Sequence, residues 1–210
     1  MRPEISRALA AASVAAALVA GCGGGDRPLR IGVVVDCVGV FRSLQDAELS
    51  GAQLPLIARG ARLRGRNPTD GITRARIAGR SIELVPGCTE VLESSTLTQE
   101  LRRLIEIEKV DAVVAGTSGP DEVVVREVAR RHPGVVVVPA VHGPREVTLR
   151  RPAPNLYRVA ADHGQDVAGL ATHAYRELGW RRAAVVLANW DAAGAIARRS
   201  WPSSARWAGG

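Results

Sequence analysis

The strongest constraint on this chain is a rhythm: short, nearly continuous aliphatic runs recur along it, separated by stretches of helical period. Residues 29–36 (LRIGVVVD) form the first, bounded by Pro28 and by Gly39. A run that is apolar at successive positions suits a parallel strand buried on both faces. Similar runs fall at residues 81–85, 110–115, 135–138, 156–159 and 183–187. Between them, residues 96–108 place Leu97, Leu101, Leu104 and Ile105 on one helical face, with Thr96 and Gln99 as a capping box. Residues 121–131 form a further helix, and residues 162–178 open on Asp162 and Gln165 and stop at Gly179. Residues 61–78, rich in Arg, Gly, Asn, Pro and Asp, read as a long surface loop after the first helix. Strand alternating with helix at these lengths predicts an α/β fold with a doubly wound parallel sheet.

Ahead of this rhythm stand two arginines, Arg2 and Arg7, then an apolar run over residues 8–20 that ends in Val19-Ala20-Gly21-Cys22. The run is too short to span a bilayer comfortably, so it reads as an export signal. The small-residue box before a cysteine resembles a bacterial lipoprotein signal, with Cys22 the lipidated N-terminus of the mature chain and residues 22–28 a tether. An ordinary secretory signal, with Cys22 incidental, is the competing reading. Either places the rest of the chain outside the cytosol, and acylation would hold it on the membrane surface.

The 210 residues carry a formal charge of +7, and Lys109 is the only lysine. The arginines include a loose cluster at Arg59, Arg62, Arg64, Arg66, Arg74, Arg76 and Arg80. Export argues against nucleic acid, and no aromatic residues interleave with the cluster as a single-strand binder needs. The cluster reads as solvated surface, with attraction to anionic headgroups the remaining alternative.

With Cys22 assigned to lipid, Cys37 and Cys88 remain, just past the ends of two neighbouring predicted strands. Outside the cytosol such a pair is expected to form a disulfide. Two free thiols, or a metal pair completed by a histidine, are the alternatives. The histidines His132, His142, His163 and His173 have no metal-ligand spacing, so neither metal nor cofactor is expected.

Ligands of such sheets sit beyond the carboxyl ends of the strands. That rule selects residues 36–41, 116–120 and 139–144. In Gly116-Thr117-Ser118-Gly119-Pro120-Asp121, hydroxyls and free backbone N–H groups converge at a helix start, which favours an anion such as a carboxylate. Ser118 has a second reading as the cap of its own helix. Asp162 likewise either meets an ammonium group or only caps the following helix. Ser118, His142 and Asp162 at one sheet edge permit a hydrolase triad on paper, but there is no G-x-S-x-G elbow, and an enzyme is not expected.

From residue 29 to about 194 the chain resembles the first part of a type 1 periplasmic solute-binding protein, the ABC-transporter receptors for leucine, isoleucine, valine and related solutes. The matching residues are the strand IGVVVD, Gly51-Ala52, Gly71-Ile72 and the run Ile77-Ala78-Gly79-Arg80-Ser81-Ile82-Glu83-Leu84. Val113-Val114-Ala115-Gly116-Thr117-Ser118-Gly119 follows, then Pro139-Ala140, Tyr157-Arg158, Asp162, Gln165 and Leu178-Gly179. The resemblance implies a first solute-binding lobe over residues 29–161 and the beginning of a second α/β lobe over residues 162–199. It implies carboxylate contacts at Thr117, Ser118, Ala140, Val141 and His142, an ammonium contact at Asp162 and a side-chain contact at Phe41 or Val40. His142 stands where amino-acid receptors tend to carry a hydroxyl, so an anionic ligand of another kind also fits. The implied partners are a small amino-acid-like solute, an ABC-transporter permease and the membrane through the lipid anchor, with no nucleic acid. Binding without chemistry is the implied mechanism, by hinge closure of two lobes.

Family members are longer, and residues 200–210, with Trp201 and Trp207, have no amphipathic period. A permitted set of codons for that tail, read in a shifted frame, encodes a helix ending and a glycine pair, so a frameshift and truncation are expected. A genuine short protein with an irregular tail is the alternative, and translation of the locus in three frames separates the two. Two further readings of function stand beside the receptor: a lipoprotein that keeps the lobe as an interaction or sensory module, and a periplasmic hydrolase.

Overall fold

The computed structural model describes residues 27–90, 93–117, 121–141 and 143–184. The signal, Cys22, Ser118, His142, most of the run at 183–187 and the tail lie outside the described residues.

The sequence rhythm becomes a five-stranded sheet. Strand β1 (Leu29–Asp36) leads through a short 3-10 turn (Gly39–Leu44) into helix α1 (Gln45–Ile57). Two short strands, β2 (Arg62–Leu63) and β3 (Ile72–Thr73), pair with each other, and β4 (Arg76–Ile77) turns back into β5 (Arg80–Thr89). Helix α2 (Ser94–Arg102) continues as one π-turn (Arg103–Ile107), followed by β6 (Ala112–Ala115), α3 (Asp121–Arg131) and β7 (Val136–Pro139). Three short helices complete the described chain: α4 (Glu146–Leu149), α5 (His163–Asp166) and α6 (Leu170–Arg176).

The main sheet has the order β4-β5-β1-β6-β7, and β5, β1, β6 and β7 are parallel. Alternation along β1 separates two apolar layers. Val34 joins Leu97 and Leu101 of α2, Leu104 of the π-turn and Val125 of α3, whereas Val33 and Val35 pack with Leu49 of α1. Helices therefore cover both faces, as a buried parallel sheet requires. Because β5 and β6 lie on opposite sides of β1, the strand order reverses at β1, and the crevice between the carboxyl ends of β1 and β6 is the topological switch point.

Several predicted elements change. Strand β5 runs to Thr89, beyond the expected 81–85, and includes Pro86. The carbonyl and nitrogen of one strand residue face the same side, and the Pro86 carbonyl accepts from Arg103 Nη2 at 3.0 Å. Its missing N–H therefore falls on the outer edge, where β5 has no strand partner and a proline interrupts no ladder. Cys88 consequently lies within the strand and not past its end; it is still joined to Cys37 in a disulfide, with Cα atoms 5.4 Å apart.

The expected loop at 61–78 holds β2, β3, β4 and a capped 3-10 turn (Pro68–Asp70), pinned where Gln53 Nε2 donates to the Pro68 carbonyl at 2.6 Å. Helix α2 starts at Ser94, and the Thr96 hydroxyl donates to the Glu93 carbonyl at 2.8 Å, so the expected Thr96–Gln99 capping box does not form. Strand β6 begins at Ala112 because the Arg30 amide donates to the Asp111 carboxylate at 2.9 Å in place of a ladder bond. Residues 156–159 contribute only the single bridge between Val137 and Leu156. The expected helix over 162–178 is broken at Gly169, whose φ of 81° no continuing helix tolerates; Gly179, at φ 68°, ends the second part as expected.

Candidate functional site

The chain leaves β1, β6 and β7 at the same carboxyl edge of the sheet. Ladder bonds carry the register into this edge: the Gly116 amide donates to the Val34 carbonyl at 2.8 Å, and the Ala140 amide to the Ala115 carbonyl at 2.9 Å. Thr117 follows directly and is fully buried, yet its Oγ1 has no hydrogen-bond partner among the described residues. A buried hydroxyl normally has a partner, so an unsatisfied one at a switch point is a candidate ligand contact.

Carboxylates gather beneath it. Asp36 ends β1 and is 2% exposed, and its amide donates to Glu48 Oε2 at 3.1 Å. The Glu48 carboxylate lies over Gly116, where a Cβ would stand 3.0 Å from the Val34 carbonyl oxygen and 3.3 Å from Glu48 Cδ. Glycine at 116 is thus the residue that admits Glu48. Burial, with a contribution from Asp121, pushes the Asp36 carboxyl up to about 6. Burial also pushes Glu48 up to about 7, against the stabilising Asp36 amide. Asp121, at the start of α3, is 1% exposed and receives the Ser94 hydroxyl at 3.5 Å.

Phe41 and Val40 stand on the 3-10 turn after β1, exposed by 40% and 81%, with Val38 and Leu44 also exposed. Ala140 is exposed and Val141 half-buried in the loop after β7. Asp162 comes to the same loop through the parallel bridge between Gly143 and Asp162. Its cap is formed: Oδ1 accepts from the Gln165 amide at 2.9 Å, and its own amide donates to Gln165 Oε1 at 2.7 Å. Its second oxygen lies 3.8 Å from Arg145 Nε. The structure thus brings Phe41 and Thr117 to adjacent strand ends and sets Asp162 beside Gly143.

Sequence reasoning missed a second buried pair. Glu122 and Arg158, with side chains 0% and 5% exposed, meet at 2.5 Å, and Arg158 Nη2 also donates to the Pro144 carbonyl at 2.7 Å. Gly143 makes room, since a Cβ there would fall 2.1 Å from the Glu122 carboxylate. This pair fixes the loop after β7 against the start of α3. Glu48 had a faint signal in the sequence, because it is four residues before Ala52 on the face of α1 that also buries Leu49, Gln53 and Leu56.

A cavity of about 480 Å³ lies elsewhere, between α1, β5 and residues 64–76, lined by Leu49, Gln53, Arg64, Arg74 and Leu84 among others. Among the described residues no group of three or more His, Cys, Asp or Glu side chains is placed to hold a metal. The carboxyl edge thus brings together a buried hydroxyl, exposed apolar side chains and buried carboxylates.

The sequence matches the periplasmic binding protein family over residues 28–210. Among solved structures it is similar to a periplasmic binding protein from Burkholderia mallei (16% identity, TM-score 0.65, covering 84% of this chain and 43% of that one). It is also similar to an ABC-transporter solute-binding protein from R. palustris in complex with benzoate (23% identity, TM-score 0.63, 83% and 44%). A leucine binding protein from Thermotoga maritima MSB8 aligns as well (18% identity, TM-score 0.64, 82% and 44%). The chain therefore spans less than half the length of these proteins. No curated protein matches it by sequence. With the parallel sheet, its switch point and the family match over nearly all of the chain after residue 27, the chain belongs to the type 1 periplasmic binding proteins.

Proposed function

We propose that the chain serves as the extracytoplasmic solute receptor of an ABC transporter, and that its solute is a small carboxylate with an apolar body, a branched-chain amino acid first. The observation that carries this reading is the buried Thr117 hydroxyl, which lacks a hydrogen-bond partner among the described residues at the switch point. Thr117, Ser118 and the backbone of Ala140, Val141 and His142 receive the carboxylate, and Phe41 faces the apolar body. Asp162 meets an ammonium group through the oxygen its cap leaves over. Residues 29–161 then form the first lobe, residues 162–199 begin the second, and closure of the two around the solute presents the receptor to a permease. Leucine and benzoate, named for two of the similar structures, share this carboxylate-plus-apolar chemistry.

Cys22 carries the lipid that holds the receptor at the outer face of the cytoplasmic membrane. Among the described residues no helix is long and apolar enough to cross a membrane. Calorimetric titration of the chain with leucine, isoleucine, valine and benzoate tests the reading. Saturable heat with at least one, lost in Thr117→Val, is the expected result; silence with all four overturns it. Palmitate labelling in cells, abolished by Cys22→Ser, tests the anchor.

A further inference from the structure

The charge of this chain is concentrated in one place. Residues 59–80 hold seven arginines against the single carboxylate of Asp70, a net +6 within a chain whose total is +7. All seven, Arg59, Arg62, Arg64, Arg66, Arg74, Arg76 and Arg80, are exposed. None forms an ion pair with a described residue, although arginines elsewhere do so repeatedly, as at Arg30, Arg103 and Arg158. Two apolar side chains stand exposed among them, Leu63 at 51% and Ile77 at 44%.

This segment is built, not loose. Ala61, Ala75 and Ile82 are buried with Leu56 of α1, and the β2–β3 and β4–β5 hairpins fix its backbone. It leaves the end of α1 and re-enters the sheet at the start of β5, and Leu29 at the start of β1 pairs with Ile82. The basic segment and the chain leading into β1 therefore share the amino-terminal edge of the sheet. The opposite edge carries Asp36, Glu48 and Asp121. The unpaired basic charge thus lies at the edge where residue 29 enters, and the candidate solute edge lies at the other end of the strands.

We propose that residues 59–80 dock on an anionic phospholipid surface, with arginines on the headgroups and Leu63 and Ile77 reaching the interface, so that the carboxyl edge of the sheet faces away from the membrane. Exposed arginines that form no ion pair among the described residues fit such a surface, since each basic residue near it contributes about fivefold in affinity. Apolar side chains between the charges add interfacial burial. The docking does not depend on which solute the carboxyl edge takes.

The test is co-sedimentation of the full chain with phosphatidylcholine vesicles, with and without equimolar phosphatidylglycerol, over a range of salt. The apolar N-terminal run is common to every variant, so differences isolate the basic segment. Phosphatidylglycerol should tighten binding, and salt should weaken it. Arg62→Gln/Arg64→Gln/Arg66→Gln should lower partitioning to the anionic vesicles by about a hundredfold. The corresponding triple lysine variant should keep most of it, which separates charge from misfolding. Three results overturn the proposal: no preference for phosphatidylglycerol, an equal loss in Arg42→Gln/Arg151→Gln/Arg176→Gln, or a glutamine triple that binds the vesicles unchanged while losing binding to duplex DNA.

Discussion

Arg158 Nη2 and Glu122 Oε2 lie 2.5 Å apart, with both side chains almost wholly out of water and 36 positions apart in sequence. Their contact ties the start of α3 to the segment that crosses from β7 toward Asp162, and Arg158 extends the tie through Pro144 and the Thr148 hydroxyl at 3.3 Å. Burial already pushes Glu122 up to about 7 against the pull of Arg158, so without Arg158 the carboxyl must stay buried unpaired or take up a proton, and breaking one side of such a pair costs about 3–5 kcal/mol. Arg158→Met should lose stability of this size in urea unfolding at neutral pH. Arg158→Met/Glu122→Leu should recover much of it, because the stranded carboxylate is gone. A double variant no more stable than the single would show that the pair acts through shape and not through charge.

The disulfide between Cys37 and Cys88 closes a loop with a sequence separation of 51 and holds the turn carrying Phe41 against β5. A crosslink over this length stabilises by about 4 kcal/mol on chain-entropy grounds, with about 2–4 kcal/mol typical. Cys37→Ala/Cys88→Ala should show that loss in urea unfolding, and a reductant should lower the stability of the parent but not of the variant.

Much of this architecture was written in local pattern. Strand β1 occupies residues 29–36 as its aliphatic run predicts, and α3 occupies 121–131. Thr117 was legible because it directly follows a buried strand. What escaped was set by partners distant in sequence. Pro86 and Gly87 argue locally against a strand, yet β5 continues through them because β1 supplies the ladder on one side and Arg103 and Glu100 satisfy the other, Glu100 accepting the Cys88 amide at 3.1 Å. The Thr96–Gln99 spacing is a fair cap signal, but the helix starts at Ser94 and the Thr96 hydroxyl turns to Glu93. Glu122 looks like an ordinary first-turn acid until the fold delivers Arg158 to it.

Thr117→Val separates stability from binding. Valine matches threonine in shape and removes a buried hydroxyl that has no partner among the described residues, so unfolding free energy should stay constant or rise by up to about 1 kcal/mol. A hydrogen bond to a charged ligand contributes about 1.5–3 kcal/mol, so solute affinity should fall about 10- to 100-fold. Calorimetry and urea unfolding on the same preparation measure both. A variant that is destabilised while its affinity holds would make Thr117 a packing residue.

The carboxylates under the site make stability depend on pH in an unusual direction. Burial raises Asp36 from 3.8 to about 6 and Glu48 from 4.5 to about 7, so between these limits the folded chain binds more protons than the unfolded one. Stability from these groups is therefore fully present below about pH 4 and is lost as pH rises through about 6 to 7. Glu100 opposes them: burial acts to raise it, but Arg103 and the Cys88 amide together hold it below its ordinary value, so its contribution is lost as pH falls. Glu48→Gln keeps the shape and removes one ionisation at the site. It should raise stability at about pH 8 by on the order of 1 kcal/mol, change little at about pH 5, and flatten the slope between. Urea midpoints across that range give the answer, and a slope identical to that of the parent would mean that Glu48 is ionised in the folded chain throughout.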